Sequence, residues 1–110
     1  MPDSRARHHD GVIRELLTSD PVCEAIVIYL NEHPHAVDTA RGIAEWWIHR
    51  GPGVTEEALL KLAAHGLLQP YVNGPGRIYA YTKDRGLRRV VSRYVKSLEE
   101  RRENEHETVS

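Results

Sequence analysis

A single cysteine, Cys23, stands among the 110 residues. One thiol makes neither an internal disulfide nor a thiolate metal cage, which excludes a disulfide-stapled scaffold and agrees with a reducing compartment. No apolar run approaches the roughly 18 to 20 residues that cross a bilayer. The longest, Ala25-Ile26-Val27-Ile28-Tyr29-Leu30, has the size of a core segment. The opening stretch Met1-Pro2-Asp3-Ser4-Arg5-Ala6-Arg7-His8-His9-Asp10 is polar and lacks the apolar core of a secretory signal, so the expected location is cytoplasmic. Catalytic patterning is missing as well. There is no persuasive Ser/His/Asp or Cys/His spacing, no glycine-rich phosphate loop between a strand and a helix, and no pair of carboxylates in a plausible cleft. The expectation is a non-enzyme without a cofactor.

Histidine is plentiful by contrast, with seven residues that include His8-His9-Asp10 and His33-Pro34-His35. A zinc or iron site needs three or four convergent ligands, and no Cys or Asp/Glu at ligand spacing accompanies either cluster. No metal site is expected. The remaining composition, 40% hydrophobic and 28% charged, is that of an ordinary globular protein, and the length allows one hydrophobic core. The net charge of −1 excludes a chain that is basic throughout. Its distribution is uneven: six Lys/Arg and ten Asp/Glu precede residue 77, whereas Arg77 to Lys96 holds seven basic residues and one acidic, Asp84. A basic patch on an acidic body follows.

Apolar spacing predicts the elements. Val12, Ile13, Leu16 and Leu17 mark a short leading helix. Asp20-Pro21 reads as an N-cap with proline at the first helical position, opening a central helix to about Glu32 in which Cys23 is a small buried hydrophobe. Asp38 or Thr39 can cap a next helix carrying Ala40, Ile43, Ala44, Trp47 and Ile48. Trp46, about 100° away from Trp47 on such a helix, is left nearer the surface. A further helix is predicted from Thr55, with Ala58, Leu59, Leu62 and Ala63 inward and Gly66 at its left-handed end. Gln69–Val72 and Ile78–Thr82, joined by Asn73-Gly74-Pro75-Gly76-Arg77, predict a hairpin. Leu87, Val90, Val91, Tyr94, Val95 and Leu98 predict a last amphipathic helix. The domain is expected over residues 10–98, with a flexible arm at 1–9 and a charged, fraying tail at 99–110.

This order, and two stretches within it, resemble the bacterial winged helix. Thr39-Ala40-Arg41-Gly42-Ile43-Ala44-Glu45-Trp46-Trp47 is similar to the second helix of such domains. Val54-Thr55-Glu56-Glu57-Ala58-Leu59-Leu60-Lys61-Leu62-Ala63-Ala64-His65-Gly66-Leu67-Leu68 is similar to their third helix and its exit into the wing. The resemblance covers about residues 20–98 and extends to MarR-, ArsR- and PadR-like architectures without selecting one. It implies a mainly α (α+β) fold: a three-helix core, a two-stranded β-wing and a C-terminal amphipathic helix.

The resemblance also implies a transcription regulator that binds double-stranded DNA as a homodimer, with the third helix in the major groove and the wing on the backbone. Carried onto this chain, the candidate DNA contacts are Thr55, Glu56, Glu57, Leu60, Lys61 and Ala64 on the third helix, Arg77 on the wing, and Arg41 and Arg50 around the second helix. Glu56 and Glu57 depart from the pattern, because carboxylates repel phosphate, although a single Glu can accept from cytosine N4. Lys83, Arg85, Arg88, Arg89, Arg93 and Lys96 form either a patch for a polyanion such as RNA or the solvated face of a helix. Leu87, Val91, Tyr94, Val95 and Leu98 are the candidate dimer interface, or else they complete the monomer core. The competing reading is an interaction module that docks a protein partner without touching DNA, motivated by the acidic start of the third helix.

Overall fold

The structure is a computed structural model that describes residues 2–74 and 76–109, with side chains described for residues 10–72, 74 and 76–102. Helix α1 (Pro2–Ser19) is followed by α2 (Pro21–Glu32), β1 (Val37–Thr39) and α3 (Ala40–Gly42), which runs on into a π-helical stretch, Ile43–Trp47. Helix α4 (Pro52–Ala64), strands β2 (Leu68–Asn73) and β3 (Gly76–Tyr81), and α5 (Arg85–Val109) complete the order.

Local chemistry explains the helix ends. Asp20 Oδ1 accepts from the amides of Val22 and Cys23, each at 3.1 Å, and caps α2 ahead of Pro21. Thr39 Oγ1 accepts from Gly42 N at 3.1 Å and opens α3. At the end of α4, Gly66 adopts φ +78° while Leu67 N donates to Leu62 O and Gly66 N to Ala63 O. This pair of bonds satisfies carbonyls that the helix end leaves free.

Two features differ from the sequence expectation. The wing sheet has three strands, in the order β1-β3-β2 with both pairings antiparallel. Val37-Asp38-Thr39 is too short and too polar to show as a strand, but β3 offers it a free edge. Helix α4 begins at Pro52 rather than Thr55, since proline at the first helical position fixes the required φ and Gly51 supplies an unobstructed cap. Helix α1 starts at Pro2 and helix α5 ends at Val109, in stretches where Ala, Arg and Glu favour helix without an apolar periodicity.

The core gathers Ile13 and Leu17 of α1, Cys23, Ile26, Val27 and Leu30 of α2, Ile43, Leu59 and Leu62, and Val90, Val91, Tyr94 and Val95 of α5. Helix α5 is thereby part of the single-chain core. Val91, Tyr94 and Val95 are buried, and Leu87 and Leu98 pack on the same cluster, so the stripe offered as a dimer interface is covered by α1 and α2. The Tyr94 hydroxyl hydrogen-bonds Glu24 of α2, and Ser92 Oγ hydrogen-bonds Asn31 Oδ1 at 2.9 Å, fastening that contact.

Trp47 and Trp46 part company in the wide π turn. The Trp47 ring lies flat on Tyr29, with centroids 4.6 Å apart and planes 12° from parallel, while Trp46 is 72% exposed.

Candidate nucleic-acid interface

The third strand positions the site. Register places Thr39 opposite Ile78, so α3, which starts at the next residue, lies beside the Gly76-Arg77 end of β3. Helix α4 comes alongside with Thr55, Ala58, Leu59 and Leu62 buried and Glu56 and Leu60, one turn apart, facing out. Between them runs an open groove of about 450 Å³, lined by Thr39, Ala40, Arg41, Glu56, Leu60, Gly76, Arg77 and Tyr79. Four of the candidate contacts, Arg41, Glu56, Leu60 and Arg77, are thus brought together. Thr39, Ala40 and Tyr79 were not legible as part of it, because their place depends on the pairing of β1 with β3.

Arg77 is exposed and makes no ion pair among the described residues. Arg41 is exposed with its Nε 3.2 Å from Glu45 Oε1, a surface contact between neighbouring turns that holds it weakly. Leu60 is 60% exposed and gives the groove an apolar wall.

Other candidates lie elsewhere. Thr55 is fully buried, and its hydroxyl donates to Gly51 O at 2.8 Å, so it closes the first turn of α4 and is unavailable to a ligand. Lys61 turns away from the groove to Asp20, Nζ to Oδ2 2.9 Å. Burial works to raise the Asp20 carboxyl, but the Lys61 and Cys23 hydrogen bonds and the Lys61 charge outweigh it and hold the group below its ordinary value; Lys61 is raised in turn by Asp20. Glu57, Ala64 and Arg50 are exposed but do not line the groove.

The basic residues after the wing divide into two kinds. Arg88 is structural: its Nε donates to Thr82 O at 2.6 Å and its guanidinium sits 4.8 Å from the Tyr81 ring centroid. Lys83, Arg85, Arg89, Arg93 and Lys96 are exposed. Cys23 is buried, and its Sγ contacts Ala58 O at 3.7 Å. Burial, aided by the Asp20 charge, pushes the thiol pKa up to about 12, so it packs α2 against α4 without reactivity. Among the described residues, no three His, Cys, Asp or Glu side chains converge to hold a metal, and no helix is long and apolar enough to cross a membrane.

No protein-family model matches the chain, and no curated protein does. Solved structures with the same fold include TubR bound to 24 bp of tubC, from Bacillus thuringiensis serovar israelensis, with TM-score 0.59 and 15% identity over 84% of this chain and 94% of that one. They also include MepR, a transcription regulator of the Staphylococcus aureus multidrug efflux pump MepA, with TM-score 0.65 and 19% identity over 99% of this chain and 78% of that one. The fold shared with them is the winged helix.

Proposed function

We propose that this chain is a transcription regulator that binds duplex DNA through the groove between α3, α4 and the wing. The observation that carries the reading is that one open groove is lined by Arg41, Arg77 and the outward face of α4, a set that would hold phosphates at two edges with a helix between them. A neighbour of the same fold, TubR, is held on 24 bp of tubC, and another, MepR, is a transcription regulator; both support the reading. Two arginines per groove grip a duplex weakly, so the reading includes a homodimer that engages two successive major grooves. Because the α5 stripe serves the monomer core, a dimer would use other surface. Sedimentation equilibrium tests that element.

The experiment is fluorescence-anisotropy titration of a random-sequence duplex at two salt concentrations, comparing wild type with Arg77→Glu. The expected result is salt-sensitive binding in wild type and a weaker, shallower dependence in Arg77→Glu, since each phosphate contact contributes about 0.9 to the slope of log K against log salt. No binding by folded wild type at low salt would overturn the reading. The second reading, a module that docks a protein partner, is favoured by the exposure of Leu60 beside Glu56. In that case Arg77→Glu leaves activity intact and Leu60→Ala abolishes partner capture.

A further inference from the structure

Outside the groove, α5 carries a charged face that neither the core nor the groove accounts for. Arg85, Arg89, Arg93 and Lys96 follow one another at intervals of four, four and three residues, which aligns them along one side of the helix. That side is opposite the buried stripe of Val91, Tyr94 and Val95. All four side chains are exposed, and none forms an ion pair among the described residues. The face extends about 16 Å at 1.5 Å per residue. Acid returns only at Glu99 and Glu100, which close it beyond Lys96.

Such a face works against its own helix. Like charges one turn apart repel, which applies to Arg85 with Arg89 and to Arg89 with Arg93. Cations in the first turns also oppose the helix dipole, and the acid that offsets them at this end is the cap Asp84, whose Oδ1 accepts from Leu87 N at 3.1 Å; the first turn itself adds none. Ordinary solvated helices intersperse both signs, as this chain does from Glu99 onward. Arg88 shows what a structural arginine looks like here, bonded to Thr82 O and stacked over Tyr81, and the stripe residues make no comparable contact.

We propose that the outer face of α5, Arg85, Arg89, Arg93 and Lys96, is a second binding surface for the phosphate backbone of duplex DNA, separate from the α4 groove. Four cations about 4.5 to 6 Å apart make a straight strip of positive charge about 16 Å long, complementary in sign to a duplex backbone that carries one phosphate per about 3.4 Å of axis on each strand. A lipid surface fits less well, because the apolar side of α5 is locked in the core and has nothing to insert into a bilayer. The surface is sequence-independent, since it offers charge to phosphates and lies on no groove-reading element.

The test is anisotropy titration of a random-sequence 20-base-pair duplex over a salt series with full-length wild type, Arg89→Gln/Arg93→Gln, the charge-preserving Arg89→Lys/Arg93→Lys, and the groove variant Arg41→Gln/Arg77→Gln. Two lost phosphate contacts lower the slope of log K against log salt by about 1.8 in Arg89→Gln/Arg93→Gln, and the lysine variant restores it. Thermal unfolding of the free glutamine variant is expected at or above the wild-type midpoint, because a repulsion has been removed. The groove variant keeps a salt-sensitive residual binding. An unchanged slope in the glutamine variant overturns the proposal. So does a variant whose loss appears on vesicles of phosphatidylglycerol while duplex binding is untouched. An unaltered groove variant beside a flattened stripe variant would instead remove the groove reading and leave this one standing.

Discussion

Asp20 and Lys61, 41 residues apart in sequence, meet in an ion pair of 2.9 Å that ties the first turn of α2 to the outward side of α4. The other Asp20 oxygen caps α2 through Val22 N and Cys23 N, so one carboxylate orders two helices. It also takes Lys61, the one cation of α4, out of the groove, whose basic lining residues are Arg41 and Arg77.

Replacing Asp20 with alanine removes the cap and is expected to lower stability by about 1 kcal/mol, within the usual 0.5–2 range for such caps. Asp20→Asn keeps the cap and loses the charge. The folded Asp20 titrates below its ordinary value of 3.8, so on acidification the unfolded chain takes up this proton first. The carboxylate's contribution is full above pH 3.8 and fades as the pH falls from there through the folded value. Urea unfolding at pH 6 and pH 3 checks this: wild type should lose more stability between the two than Asp20→Asn.

The α2 cap, the hairpin, Gly66 and the α5 stripe are legible because each is written locally, in an Asp-Pro pair, an Asn-Gly-Pro-Gly turn, a left-handed glycine or a 3.6-residue period. Thr39 and Tyr79 were hidden because a three-residue strand exists only through its partner: Val37, Asp38 and Thr39 pair with Ala80, Tyr79 and Ile78, which lie 39 to 43 residues further along the chain. The fate of Thr55 was missed for a related reason. Moving the start of α4 back to Pro52 places Thr55 inside the first turn, where its hydroxyl bonds Gly51 O. The apolar face of α5 could be read from the sequence, but not its partner, since the same stripe suits a dimer or a monomer core.

Adjacent leucines of α4 should behave in opposite ways. Leu59 is fully buried, and Leu59→Ala is expected to cost about 2–5 kcal/mol by leaving a cavity. Leu60 is 60% exposed, and Leu60→Ala should leave stability within about 0.5 kcal/mol of wild type while weakening whatever binds in the groove. Paired denaturation and binding titrations separate the two effects.

The two tryptophans offer a spectroscopic check. Trp46, 72% exposed, should carry most of the iodide-quenchable emission, and Trp46→Phe should remove that fraction with little loss of stability. Trp47 stacks on Tyr29, so Trp47→Phe should leave a red-shifted, readily quenched spectrum. Equal quenching in the two single-tryptophan variants would contradict the π-helical placement.

Gly42 provides the sharpest test of how α3 meets β1. Its φ of −62° is ordinary helix, so backbone conformation alone would make alanine there stabilising by about 1 kcal/mol. The obstacle is the Asp38 carboxylate, which accepts from Thr39 N at 2.8 Å and occupies the space where a Cβ on residue 42 would stand. Gly42→Ala in the wild-type background must swing the Asp38 carboxylate away and break its hydrogen bond from Thr39 N, a loss of about 1 kcal/mol that offsets the helix gain, so little net change is expected. In an Asp38→Ala background the obstruction is gone and the same substitution should stabilise by about 1 kcal/mol. A thermodynamic cycle over the two positions reads the coupling directly, and additivity within about 0.5 kcal/mol would mean that Asp38 does not hold this junction.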